Sequence, residues 1–239
     1  MRQTRAAIVA AGIAVATVAT AGAATAAITL DYRATETGST AVDRSGYGND
    51  GTLHHVSRSG GQYVFQWDEG DPHAFIRTTD DDDTLDPGRR PFSYTAQVMI
   101  PPNATWQKAN EMNVMRRSTV EIPGGGYKME VHRNPNSGNV AVQCSMHDGN
   151  GGNAVLQNNG SGGTVLNDGT WHTLTCARAG GTISLTIDGT TATKPTDGLG
   201  AIRSPEPLFI GVKAPDVGGY NQQFEGRMDN IRITVQRVA

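Results

Sequence analysis

Hydrophobic residues recur at every second position in short runs along most of the chain. Tyr94, Ala96, Val98 and Ile100 share one face of SYTAQVMI, and Tyr127, Met129 and Val131 share one of GYKMEVHR. Val140, Val142, Cys144 and Met146 follow in NVAVQCSMHD, then Leu174 and Cys176 in WHTLTCAR. Ile183, Leu185 and Ile187 alternate in TISLTIDG, where Asp188-Gly189 signals a hairpin turn. Leu208 and Ile210 mark a short strand, and Ile231, Ile233 and Val235 end the series. A period of two, broken by Gly, Asn, Asp and Pro, predicts strands with one buried face each. No segment carries the period of an amphipathic helix. The pattern predicts an all-β chain whose two antiparallel sheets pack face to face.

The first residues depart from that pattern. Arg2 and Arg5 precede a run from Ala6 to Ala27 built only of Ala, Val, Ile, Gly and Thr. Ala24-Thr25-Ala26 closes it with the small-x-small pattern of a signal-peptidase site. About 20 apolar residues could also span a bilayer, but Ala, Gly and Thr are weakly hydrophobic and lie directly before the cleavage pattern. Residues 1–26 are expected to be a signal peptide, cleaved after Ala26, and residues 27–239 one secreted sandwich domain that is not membrane-embedded. All-β sandwiches of roughly 200 to 250 residues fold as single units.

Charge and cysteine content narrow the partners and the compartment. The 239 residues hold 20 Lys and Arg against 23 Asp and Glu, a formal charge of -3, with no basic stripe. That composition argues against a nucleic-acid partner. Cys144 and Cys176, the two cysteines, both lie on inward faces. In an oxidising compartment they are expected to be bridged; two buried free thiols are the alternative.

Four segments taken together resemble the laminin-G-like, concanavalin-like jelly-roll family of extracellular modules. They are DRSGYGNDGTL (Asp43 to Leu53), DTLDPGRRPFSYTAQVMI, DGTWHTLTCARAGGTISLTIDGT, and PLFIGV followed by FEGRMDNIRI. The resemblance implies a two-sheet jelly roll whose first and last strands pair, often with one bound calcium ion. It implies glycan or protein binding for stand-alone members, while catalytic relatives share the architecture. Counting back by two from Ile231 places Asp229 on the inward face, where a carboxylate needs a partner or a metal. If the end strands pair, the Asp43 to Gly51 turn could bring oxygen ligands to it. Asp43, Asn49 and Asp229 are therefore the candidate ligands of a structural calcium; acceptance of backbone N–H bonds by Asp229 is the alternative.

Catalytic signatures are sparse. The E-x-D-x-x-E arrangement of paired carboxylates that glycoside cleavage uses is absent. Asp80 to Asp83 and Asp86 precede a strand and read as a solvated loop. No Gly-x-Ser-x-Gly elbow occurs, and the six histidines lack zinc-like spacing. Tyr127, Glu130, His132 and Arg133 in YKMEVHR loosely resemble the Arg, Gln, His and Tyr set of alginate-lyase-like relatives. Alternation would put Lys128, Glu130 and His132 on one face, which a solvated outer face explains as well. Sugar rings stack on exposed aromatics, which singles out Trp106 and Tyr220 as ligand contacts, with Asn221 and Gln222 beside the latter. Trp67 and Trp171 read as core. The expected function is binding of an extracellular glycan or protein surface without chemistry. A polysaccharide-degrading lyase or hydrolase of the same fold is the alternative, and a structural cell-envelope protein a third. N-terminal sequencing of secreted material should begin at Ala27; a membrane-bound product that keeps Met1 to Ala26 would overturn the leader reading.

Overall fold

The computed structural model describes residues 25–67, 73–79, 83–106, 110–118, 123–158, 165–213 and 222–237. Its strands are β1 (Thr25–Tyr32), β2 (Thr40–Ala41), β3 (Gly51–His54), β4 (Ser57–Ser59), β5 (Gln62–Phe65) and β6 (Phe75–Thr78). Then come β7 (Phe92–Met99), β8 (Glu111–Arg117), β9 (Gly125–Arg133), β10 (Val140–Asp148) and β11 (Asn153–Gln157). The last five are β12 (His172–Ala179), β13 (Thr182–Ile187), β14 (Thr190–Pro195), β15 (Leu208–Ile210) and β16 (Gly226–Arg237). No helix occurs among the described residues.

Two eight-stranded antiparallel sheets form the sandwich. The first runs β14-β13-β12-β7-β16-β5-β4, with β1 also paired to β16. The second runs β11-β10-β9-β8-β15-β6-β3-β2. Every residue of the alternating runs read from the sequence is buried, from Tyr94 on β7 to Val235 on β16. The pairing of the end strands is also present: Tyr32 lies opposite Ile231, and Ala27 opposite Val235. Trp67 and Trp171 depart from the reading and are only half-buried.

The disulfide joins the sheets. Cys144 on β10 and Cys176 on β12 are bonded, with their Cα atoms 5.7 Å apart. Nearby, Tyr94 of the first sheet sends its hydroxyl across the core to the Lys128 carbonyl at 2.9 Å. Phe92, Tyr94 and Tyr127 pack ring on ring between the sheets. The β13–β14 hairpin turns at Asp188 (φ 48) and Gly189 (φ 84), the left-handed pair that a tight two-residue turn requires. His172 pins that turn, with Nδ1 2.7 Å from Asp188 and Nε2 3.2 Å from Asp168. Burial pushes the imidazole down, but the hydrogen bonds and charges of Asp188 and Asp168 outweigh it and hold its pKa above the usual value.

Two sequence readings need correction. Asp86 is not solvated: it is buried and pairs with Arg117 of β8 at 3.1 Å, while Ser204 N donates to it. Asp80, Asp81 and Asp82 lie outside the described residues. Asp229 is not on the inward face. A bulge between Asp229 and Arg232, with Asn230 at φ 48, resets the alternation. Met228 and Ile231 therefore both point into the core, and Asp229 stands beside Gln97 on the outer face.

Of the expected leader, residues 1–24 lie outside the described residues, while Thr25 and Ala26 are exposed and pair with Arg237 and Gln236. No helix among the described residues is long and apolar enough to cross a membrane. Thiol labelling of denatured, unreduced protein should find no free sulfhydryl. Closing the 32-residue separation contributes about 4 kcal/mol, so Cys144→Ala/Cys176→Ala should melt roughly 8 to 16 °C lower.

Candidate functional site

The outer face of the second sheet carries a polar cluster that the alternation of β8, β9 and β10 builds. On β9, Tyr127, Met129 and Val131 face the core, which turns Lys128, Glu130 and His132 outward. Register then aligns neighbours: Glu111 lies opposite His132, Asn113 opposite Glu130, Gln143 opposite Glu130, and Ser145 opposite Lys128. Directly opposed side chains share a face. Six polar groups from three strands thus cluster around Glu130.

Glu130 has only 1% of its surface exposed although it points away from the core. Its Oε1 meets Lys128 Nζ at 2.5 Å and His132 Nε2 at 3.1 Å, and accepts from Gln143 Nε2 at 2.8 Å. Burial raises its pKa, but the His132 hydrogen bond and the Lys128 ammonium more than offset that, and the carboxyl is held below its ordinary value. His132 Nδ1 continues the chain to Glu111 at 3.2 Å. Glu130 Oε2 and Asn113 Oδ1, on register-paired positions, are buried acceptors without a donor among the described residues. A buried acceptor left unmatched costs about 1 to 3 kcal/mol. Beside the cluster opens a recess of about 260 Å³ whose walls include Lys128, Gln143, Ser145 and Asn153.

The ligand contacts expected from the sequence are scattered. Gln222 does reach this face: its side chain hydrogen-bonds Asn113 and Glu111, and its carbonyl accepts from Asn113 N at 2.8 Å. Trp106 is half-buried and packs against the hydrophobic core. Tyr220 and Asn221 lie outside the described residues. Glu111, Asn113, Gln143 and Ser145 were missed, although each is a polar outward position on an alternating strand. The strand order that sets them together is not visible locally.

Asp43 and Asn49, two of the three residues offered for calcium, are engaged in the hydrogen bonds of their own turn. Asp43 accepts from Asp31 N (2.9 Å), Ser45 N (3.0 Å), Ser45 Oγ (2.6 Å) and Asn49 N (3.0 Å), which occupies both oxygens. Asn49 is buried and donates its side-chain amide to Thr29 O and Thr84 Oγ1, both at 2.7 Å. The bulge keeps Asp229 out of this group, and no metal-like cluster of three His, Cys, Asp or Glu occurs among the described residues. The turn that resembles a metal loop is a hydrogen-bonded turn built on one carboxylate.

Three comparisons bear on the chain as a whole. The family model described as the concanavalin A-like lectin/glucanases superfamily matches residues 76–236. No curated protein matches the sequence. Among solved structures, the receptor-binding domain of a botulinum neurotoxin C/D mosaic aligns with TM-score 0.65 and 14% identity, over 89% of this chain and 49% of that one. The binding domain of Paraclostridial Mosquitocidal Protein 1 gives the same figures. The botulinum neurotoxin D ligand-binding domain in complex with N-acetylneuraminic acid aligns at TM-score 0.60 and 13% identity, over 89% of this chain and 48% of that one. This chain therefore spans about half the length of those chains, and the likeness is one of fold. Asp43→Ala should cost about 3 kcal/mol by stranding buried donors. The loss should be equal in EDTA and in millimolar calcium, as paired denaturant titrations would measure.

Proposed function

We propose that this chain, which belongs to the concanavalin A-like lectin/glucanases superfamily, is a secreted module that binds an extracellular glycan on the outer face of its second sheet without cleaving it. The observation that carries the reading is the pair of unmatched buried acceptors, Glu130 Oε2 and Asn113 Oδ1. Sugars are dense in O–H donors, and two neighbouring hydroxyls of one ring could serve two neighbouring acceptors. Lys128 and His132, whose side chains are 28% and 21% exposed, lie nearer the solvent and contact the same carboxylate. The long, flexible Lys128 side chain is the cover that can swing aside. Gln143 and Ser145 add an amide and a hydroxyl that can donate or accept.

A glycosidase pairs an acid of raised pKa with an ionised carboxylate. Glu130, held below its ordinary value, does not supply that acid and is suited to accept hydrogen bonds. Receptor-binding domains that share the fold are consistent with a binding role, and the sialic-acid complex concerns that protein alone.

A glycan array probed with the mature domain should give a hit. Glu130→Gln should weaken that hit by roughly ten- to a hundredfold, the worth of a hydrogen bond to a charged group. Gln143→Ala, a change on the open side of the face, should weaken it severalfold with little change in melting temperature. Release of reducing ends or unsaturated products from a polysaccharide by the pure domain would defeat the reading in favour of an enzyme.

A further inference from the structure

A second recess lies on the other sheet. Its volume is about 480 Å³, within the roughly 300 to 1,000 Å³ of small-ligand sites. Three strands build its floor in one row: Arg227 on β16 stands opposite Val64 on β5 and opposite Met99 on β7. The inward neighbours Tyr63, Val98 and Met228 are fully buried, so this row faces out. Trp67, half-buried just beyond β5, and Glu225, just before β16, form walls.

Two side chains of this recess keep hydrogen-bonding capacity beyond what the fold uses. Arg227 makes one hydrogen bond, from Nη1 to Gln62 Oε1 at 2.9 Å, and has no ion-pair partner among the described residues. Glu225 lines the same recess without pairing to it; one of its oxygens accepts from Thr105 N at 2.6 Å. A guanidinium offers five donors in a planar fork that matches a carboxylate. An indole flank with Val64 and Met99 beneath it offers an apolar surface of the kind the C–H face of a sugar ring stacks on. The free Glu225 oxygen can accept a ring hydroxyl.

From the unpaired Arg227 fork beside the Trp67 wall, we infer a second binding site, specific for a saccharide unit that carries a carboxylate. The sugar ring stacks against Trp67, its carboxylate meets Arg227, and a hydroxyl meets Glu225. This site is on the opposite sheet from Glu130 and does not depend on the function proposed for that face. A module with both sites would hold two saccharide segments at once.

Titration with trigalacturonic acid, read by tryptophan fluorescence and calorimetry, tests the assignment against its trimethyl ester as the neutral control. The acid should bind and perturb the indole emission, and the ester should bind at least tenfold more weakly. Arg227→Gln should lower affinity for the acid at least tenfold, and Arg227→Lys, which keeps the charge and loses the fork, by an intermediate factor. Trp67→Phe should remove the fluorescence change while circular dichroism confirms the fold. Glu130→Gln should leave all of this unchanged, which separates failure here from failure of the other face. Equal binding of acid and ester, equal binding of dextran sulfate, insensitivity to both Arg227 variants, or no binding of the acid at all would each overturn the inference.

Discussion

The C-terminal strand β16 lies inside the first sheet, with β7 along one side and, on the other, β5 at its start and β1 at its end. Backbone hydrogen bonds between residues about two hundred positions apart therefore close the sheet, as in the pairing of Leu30 with Ile233. Such non-local pairing is slow to form, because loop closure must precede the contacts that reward it. Once formed, it buries Leu30, Tyr32, Ile231, Ile233 and Val235 in a single layer. The Cys144–Cys176 bond then ties that sheet, through β12, to β10 of the other.

The bulge in β16 follows from the double duty of this strand. Met228 must fill the core opposite Tyr63 and Val98, and Ile231 must fill it opposite Tyr32. They stand three positions apart, an odd spacing for a period of two, so strict alternation would expose one. One extra residue, Asn230 in a left-handed conformation, keeps both inside. Asp229 is turned out as a consequence, and Arg227 falls in line with Val64 and Met99 on the outer surface. The same local device thus takes Asp229 off the inward face and creates the row on which the second recess rests.

On the other sheet, the polar cluster sits on strands rather than at loop tips. A rigid sheet holds Glu130, Gln143 and Asn113 at fixed cross-strand spacing, so their hydrogen bonds need little ordering when a ligand arrives. Keeping a carboxylate ionised at 1% exposure demands the surrounding Lys128, His132 and Gln143. Those three groups are local to β9 and β10, so the polar network and the disulfide share a strand pair: Cys144 stands on β10 between Gln143 and Ser145, facing the opposite way.

The sequence by itself determined the apolar interior of the alternating strands. Alternation along β7, β9, β10, β12, β13 and the end of β16 named the core correctly, because a strand's side chains switch faces at every residue whatever its neighbours are. It also determined the Asp188-Gly189 turn, whose left-handed conformations depend on residue type alone. The pairing of Cys144 with Cys176 needed only an even count and two inward positions. Tertiary structure decided everything that depends on which strands are neighbours. Asp86 proved buried because Arg117 comes to it from β8, and Asp43 proved a turn acceptor because Asp31 and Asn49 donate to it. Trp106 was drawn onto the core, while Trp67, read as core, became a wall. Glu111, Asn113, Glu130 and Gln143 cluster only because β8, β9 and β10 pair in one register. Register is a property of two chains of backbone atoms at once, and a one-residue slip would send every one of those side chains to the other face.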